Sequence, residues 1–350
     1  MPTALVTGAT GLVGSHVVER LAAEGGWRVR ALVRDEGAAA WLASLGAGLV
    51  RGDVLDAASY DAAARGADVV FHTAAAVTPR GGWEAYRRPN VDGTANAVRA
   101  AAAAGARLLH LSSVAVYGPS ARYAGDGRPT DERTPLAPLP DGAHYARSKR
   151  ESEALVLAAH DAGRLWATAI RPCVVYGRRD RQFVPRMARL LATGFAPVVG
   201  GGRSTLAVVH AANVAQAAVL AARTDAAGGN AYNVANDFAV SVADFFRLAG
   251  RGLGRRVRIV SLPTPAARVV VAAASRAATV VRGPSAGAMI AASFDFATRG
   301  NPFTSDRARE ELGWRPEVRP EDGVPEAFAW VKNHKSSDEF NRELSAVGGE

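Results

Sequence analysis

The sequence is nearly devoid of cysteine and of lysine. A single cysteine, Cys173, stands among 350 residues. One cysteine excludes an intramolecular disulfide and any cysteine-rich zinc site, and it suits a reducing compartment. No metal site is expected. Lysine occurs only at Lys149, Lys332 and Lys335, although lysine and arginine together number 42. Also missing is an unbroken apolar run of about eighteen residues, the length that marks a membrane-spanning helix. The nearest approach, 266–281, is interrupted by Arg268 and Arg276. It predicts an amphipathic helix with at most peripheral membrane contact, and no integral membrane segment. A strand-like run opens at Thr3 and leaves no room for a signal peptide. The expected location is cytoplasmic.

What is present is an ordinary globular composition. Hydrophobic residues make up 48% and charged residues 21%, enough for a large core without covalent staples. The net charge is +9. No basic run is interleaved with aromatics, so the charge speaks to solubility and loose association, and no nucleic-acid partner is expected.

Short aliphatic runs at 3–7, 28–33, 49–51, 69–72, 108–112 and 167–170 alternate with helix-like stretches at 12–24, 56–65, 91–104 and 145–162. That rhythm predicts an α/β fold: a doubly wound parallel sheet of the Rossmann type, covered by helices on both faces. The runs are continuously apolar, as a sheet buried on both faces requires. Residues 1–177 are expected to form the dinucleotide-binding domain. Residues 178–334, richer in Pro and Gly, are expected to form a smaller substrate-binding region, from which segments can return to the sheet. Residues 335–350 read as a polar tail. No internal repeat is visible.

The first run ends in Gly8-Ala9-Thr10-Gly11-Leu12-Val13-Gly14 and passes into a helix with an apolar stripe. Glycines there permit a tight turn and let backbone amides approach a pyrophosphate at a helix N-terminus. The second run ends at Val33, followed by Arg34 where an acidic residue usually holds the ribose hydroxyls of NAD. An arginine there accommodates a 2′-phosphate. NADP(H) is therefore the favoured cofactor and NAD(H) the alternative, because Asp35 follows at once and can reach a ribose. Asp53, with Val54 beside it, closes the third run. Its carboxylate can accept from an adenine amino group or cap the next helix. Thr73, Ala74 and Ala75 leave the fourth run with small side chains, which let a flat cofactor lie close to the backbone.

Three residue types then point to chemistry. Ser113 lies just past the fifth run, and Tyr145 and Lys149 lie about thirty residues on. In a helix, positions i and i+4 share a face. Reducing a ketone needs an acid that protonates the developing alkoxide, and the reverse reaction needs a base. Free tyrosine has a pKa near 10, and an adjacent ammonium is expected to lower it. Ser113 can hold the substrate oxygen beside the phenol. That Lys149 is one of only three lysines adds weight, since a compact ammonium and a planar guanidinium are not interchangeable.

These pieces, with Asn90-Val91-Asp92-Gly93-Thr94 and Arg171-Pro172-Cys173-Val174-Val175-Tyr176-Gly177, resemble the extended short-chain dehydrogenase/reductase family over residues 3 to 334. The resemblance implies that Leu12 and Val13 lie against the cofactor diphosphate. It also implies cofactor contacts from Asn90, Pro172, Cys173 and Val174, a small-molecule substrate, and a possible homodimer. Sugar dehydratases of that family carry an Asp-Glu pair where this chain has Val114 and Ala115. Nucleotide-sugar enzymes tend to place an arginine where this chain has Leu206. Both departures point away from nucleotide sugars. The stretches at 178–186, 230–234 and 242–246 look like the 3β-hydroxysteroid dehydrogenase branch, and 29–35 looks like dihydroflavonol reductases. The expected activity is ketone–alcohol interconversion on a small apolar molecule such as a sterol, keto acid or polyketide. The alternatives are a nucleotide-sugar epimerase and a cofactor-binding protein without chemistry.

Overall fold

The structure, a computed structural model, describes residues 1–78, 81–118, 128–235 and 237–334. The expected tail at 335–350 lies outside the described residues. From the N-terminus come β1 (Thr3–Thr7), α1 (Leu12–Glu24), β2 (Arg28–Val33), α2 (Ala40–Ala43), β3 (Gly48–Arg51), α3 (Ala57–Ala64) and β4 (Val69–His72). Next are α4 (Gly82–Arg87), a π-helical turn (Arg88–Asp92), α5 (Gly93–Ala104), β5 (Arg107–Leu111), α6 (His144–Asp161), β6 (Ala167–Pro172) and β7 (Val174–Tyr176). Then follow α7 (Phe183–Leu190), β8 (Phe195–Val199), β9 (Val208–His210), α8 (Ala211–Arg223) and β10 (Ala231–Val234). The described chain closes with α9 (Val242–Gly252), β11 (Arg258–Leu262), α10 (Thr264–Arg282), α11 (Pro284–Thr298), α12 (Asp306–Glu311) and α13 (Pro320–His334).

The chain forms two compact units. The first comprises Met1–Val175, Ala211–Asp237 and Pro302–Glu317. The second comprises Tyr176–His210, Phe238–Asn301 and the chain from Val318.

The first unit is built on a seven-stranded sheet in the order β10-β6-β5-β4-β1-β2-β3. Every pairing in it is parallel. Its central strands are buried from end to end, because helices cover both faces. All six expected strands are present. The seventh, β10, is an addition, joined to β6 after the chain returns from the second unit. From β1 the chain moves outward to β2 and β3, then returns to β4 on the other flank of β1. This reversal opens a crevice at the carboxyl ends of β1 and β4, where α/β sheets bind their ligands.

The turn after β1 fits that crevice tightly. Gly8 has φ +65°, and a Cβ there would stand 2.7 Å from the Ala74 nitrogen. A Cβ on Gly14 would stand 2.5 Å from Thr73 Oγ1. Glycine at these two positions lets α1 and the end of β4 close on one another.

In the second unit, β8 and β11 form a parallel pair, and α9 packs against α13 through the edge-on rings of Phe245 and Phe328, 5.9 Å apart. Helices α10 and α11 run back on one another as a hairpin.

Candidate active site

The site lies at the carboxyl edge of the sheet in the first unit. Gly11 begins α1 with no side-chain cap. The first amides of that helix are therefore open to an anion, and their partial positive charge favours one. Side chains at Gly8, Gly11 and Gly14 would run into the turn itself and the end of β4, so glycine lets the turn close and leaves its backbone amides as the groups that can meet a pyrophosphate. Thr73 donates to the Thr7 carbonyl at 2.6 Å and locks the two strand ends together. Thr10, Leu12 and Val13 complete this turn, and Ala74 and Ala75 follow the end of β4.

Arg34 is exposed just beyond β2. Asp35 accepts from the Ala38 amide at 3.1 Å, so one of its oxygens is turned into its own loop. Asp53 accepts from the Leu55 amide at 2.9 Å. It does not cap α3; Asp56 does so, accepting from Ala58 at 3.1 Å. Val54 sits beside it and packs on Gly93.

Helix α6 brings Tyr145 and Lys149 to the same edge. Ser113 ends the segment after β5, where its Oγ accepts from the Ala115 amide at 3.1 Å. Ser113 lies close enough to Tyr145 to favour ionisation of its phenol. Lys149 is 2% exposed, and its Nζ donates to the Leu111 carbonyl at 2.8 Å. Burial lowers its pKa to about 8, against the opposing pull of the Glu153 carboxylate. The expected depression of the Tyr145 pKa is not seen. Burial raises it, partly offset by Ser113, with Tyr86 adding to the rise. The physical reason is desolvation of the phenolate. A phenol held neutral is suited to giving up a proton to an alkoxide.

Further residues support the site, among them Asn90, which the sequence motif singles out as a cofactor contact. Asn90, in the π-helical turn, is 1% exposed. Its Oδ1 accepts from the Ala76 amide at 2.7 Å, and its Nδ2 donates to the Ala76 carbonyl and to Ser148 Oγ, both at 2.9 Å. Asn90 thus ties the chain after β4 to the helix that carries Tyr145. Arg147 lies over the Trp83 ring at 4.0 Å, and Tyr86 lies 6.4 Å from Tyr145. Beneath the site, His72 and His110 stack at 5.7 Å. Burial, then the Lys149 charge, lowers the His72 pKa to about 3, so this imidazole is neutral. It is bonded to Thr7 at 2.9 Å and to Thr94 at 3.1 Å.

Glu153, one turn beyond Lys149, is held by Arg171 through two bonds of 2.9 and 2.6 Å. Arg171 also donates to the Tyr117 hydroxyl at 2.8 Å. Pro172 ends β6, Val174 opens β7, and between them Cys173 is buried with its thiol 3.4 Å from the Ala235 carbonyl. Burial pushes that thiol well up, so it is not a nucleophile. Val114 is buried at the start of a tight 3₁₀ turn, Val114–Tyr117. Leu206 is buried in the second unit. Neither position offers the polar group that a sugar dehydratase or a diphosphate would use.

A family model described as the NAD dependent epimerase/dehydratase family matches residues 4–235. The chain belongs to that family. It is an extended short-chain dehydrogenase/reductase, with a Rossmann-type sheet and a nicotinamide cofactor. Among its relatives is a 4-hydroxy-2-methyl-3-oxo-4-farnesyl-3,4-dihydroquinoline-1-oxide ketoreductase of Stigmatella aurantiaca, 32% identical, covering 91% of this chain and 93% of the relative. The ceramide reductase of Caulobacter vibrioides is 29% identical, covering 93% and 90%. A 2-alkyl-3-oxoalkanoate reductase of Stenotrophomonas maltophilia is 30% identical, covering 91% and 96%. The solved structure of gox2253 superposes with a TM-score of 0.72 at 29% identity, covering 95% of this chain and 99% of the other. MoeE5 in complex with UDP-glucose and NAD superposes with a TM-score of 0.69 at 24% identity, covering 95% and 100%. This extended reductase is an NAD(P)-dependent oxidoreductase that interconverts a ketone and a secondary alcohol. No described helix is long and apolar enough to cross a membrane.

Proposed function

We propose that the protein is an NADP(H)-dependent ketoreductase acting on an apolar, lipid-like 3-oxo compound, with Tyr145 as proton donor. The observation that carries the reading is the Tyr145–Ser113 pair beside a buried Lys149. The three relatives named above are, by their names, a ketoreductase of a farnesylated dihydroquinoline oxide, a ceramide reductase and a reductase of 2-alkyl-3-oxoalkanoates. In this reading the second unit supplies the substrate-binding surface, and the setting is cytoplasmic.

Gly8, Thr10, Gly11, Leu12, Val13 and Gly14 would hold the diphosphate, and Arg34 the 2′-phosphate. Asp53 and Val54 would meet the adenine. Thr73, Ala74 and Ala75 would lie along its path, with Asn90 bracing the loop that follows. Pro172, Cys173 and Val174 would border the nicotinamide end. When bound, the cofactor supplies the hydride. Ser113 orients the substrate oxygen, and Tyr145 Oη gives it a proton as charge develops there. Lys149 stabilises the resulting negative charge.

Two outcomes test this arrangement. Arg34→Asp should raise KM for NADPH about tenfold to a hundredfold, the worth of one charge-assisted hydrogen bond, and leave KM for NADH unchanged or lower. An unchanged KM for NADPH would place the 2′-phosphate elsewhere. For ketone reduction, kcat/KM should be flat near neutrality and fall as pH rises through about 8, because the Lys149 pKa is lowered to about 8 and the neutral amine no longer stabilises the charge. A profile from acid to alkaline pH that is level through that range would contradict this role.

A nucleotide-sugar epimerase is the weaker reading, since Val114, Ala115 and Leu206 remove the polar groups it would use. It would show as cofactor retained through purification with no net turnover of added ketone.

A further inference from the structure

Two buried histidines lie behind the site and take no part in the chemistry described above. His72 ends β4 and His110 lies beside it on β5, paired in register, and their rings stack. Burial, then the Lys149 charge, lowers the His110 pKa well below its ordinary value. It is therefore neutral, like His72.

Their partners fix which nitrogen carries the proton. Ser152 Oγ gives its single hydrogen to the Lys149 carbonyl at 3.2 Å. Toward His110 Nε2, 3.1 Å away, that oxygen can only accept, so Nε2 carries the proton. His110 Nδ1 then holds a lone pair, and among the described residues it has no hydrogen-bond partner. A buried polar atom without a partner costs stability. Packing alone would be served better by leucine, so what the imidazole adds is the Nε2 donor. His72 acts in the same way, one step removed. Thr94 Oγ1 gives its hydrogen to the Asn90 carbonyl at 2.6 Å, and so accepts from His72 Nε2 at 3.1 Å.

Both paths end on the helix that carries the reacting groups. Ser148 and Ser152 each follow a reacting residue by three positions on α6. Each bonds back to that residue's carbonyl, Tyr145 at 2.8 Å and Lys149 at 3.2 Å. Each is also gripped from outside the helix, Ser148 by Asn90 Nδ2 at 2.9 Å and Ser152 by His110. Strand β5 thus holds Lys149 at both ends. Its carbonyl is held through Ser152 and His110, and its ammonium by the carbonyl of Leu111, the next residue.

We propose that His110 is a positioning residue of the reaction. By donating to Ser152 it fixes the turn of α6 that carries Lys149, so that the ammonium stands where negative charge develops. The stacked His72 steadies the Tyr145 turn through Thr94 and Asn90. The inference rests on the roles given above to Tyr145 and Lys149.

The test uses the full chain, NADPH and a 2-alkyl-3-oxoalkanoate, with rates referred to the sites that bind NADPH in a fluorescence titration. Ser152→Ala cuts the link and leaves the best helix former in its place, so α6 keeps its fold. His110→Leu removes the donor, and His110→Gln keeps a nitrogen donor at the end of the side chain. Ser152→Ala and His110→Leu should each lower kcat about tenfold to a hundredfold, the scale of a misplaced catalytic group, and change KM for the ketone by less than about twofold. His110→Gln should recover most of the rate. The double variant Ser152→Ala/His110→Leu should be no slower than the slower single variant, because both act through one bond. If His110→Leu does not bind NADPH, Ser152→Ala decides alone. An unchanged kcat per site in Ser152→Ala, a glutamine variant no faster than the leucine one, or losses that multiply in the double variant overturns the proposal. Tyr145→Phe runs in the same assay. If it keeps its rate, the role of Tyr145 falls and the proposal with it. If it is slow while Ser152→Ala is not, only the positioning role falls.

Discussion

Tyr145→Phe should reduce kcat for ketone reduction about a thousandfold, within the range that a positioned general acid contributes, and leave NADPH affinity unchanged. Phenylalanine keeps the ring and its packing against Tyr86 and loses only the hydroxyl. Ser113 still accepts from the Ala115 amide and is not left unpaired. A single-turnover assay with preformed NADPH complex separates the chemical step from binding. If the step keeps its rate, the proton comes from another group, and the neighbouring hydroxyl of Ser113 becomes the candidate. The direction of the Tyr145 shift bears on the outcome. Burial raises the phenol pKa, so the protonated form predominates at neutral pH and the enzyme is poised to donate. Oxidation of the alcohol should need more alkaline conditions than reduction.

Arg171→Leu should be the most destabilising single substitution near the site, costing about 3–5 kcal/mol, the range for breaking a buried ion pair by removing one partner. The Arg171 and Glu153 side chains are 8% and 5% exposed. Leucine would leave the Glu153 carboxylate buried without its cation and the Tyr117 hydroxyl without a donor. Chemical denaturation gives the cost directly. The double variant Glu153→Leu/Arg171→Leu should recover most of the loss, because replacing both partners by apolar groups removes the uncompensated charge. If the single variant is as stable as the parent, the pair is not the clamp described. Glu153 also faces Lys149, so Glu153→Gln should move the alkaline fall in reduction to lower pH.

Much of this was legible in the sequence because its signals are local. The six aliphatic runs, the glycine turn after β1 and the four-residue step from Tyr145 to Lys149 each depend on neighbours along the chain. What escaped depends on contacts distant in sequence. β10 is only four residues long and joins the sheet after the chain has left for the second unit. Its partner β6 lies some sixty residues earlier, so no period announces it. The Glu153–Arg171 clamp joins a helix to a strand, and nothing adjacent to either residue marks the pair. Asn90 showed as part of a motif, but its bonds to Ala76 and Ser148 require the folded sheet. The phenol shift was anticipated with the wrong sign, since charge was weighed and burial was not. Asp53 and Asp56 show the same limit at short range: both precede α3, and only backbone geometry selects Asp56 as the cap.

The central claim is that this chain moves a hydride from NADPH to a ketone on an apolar substrate. The most direct measurement uses NADPH deuterated at the nicotinamide C4 and a 2-alkyl-3-oxoalkanoate. The account predicts that reduced nicotinamide is consumed one for one with a secondary alcohol carrying the label at its carbinol carbon, and that Tyr145→Phe stops both together. Retained cofactor with no net consumption, and substrate returned unreduced, would contradict it.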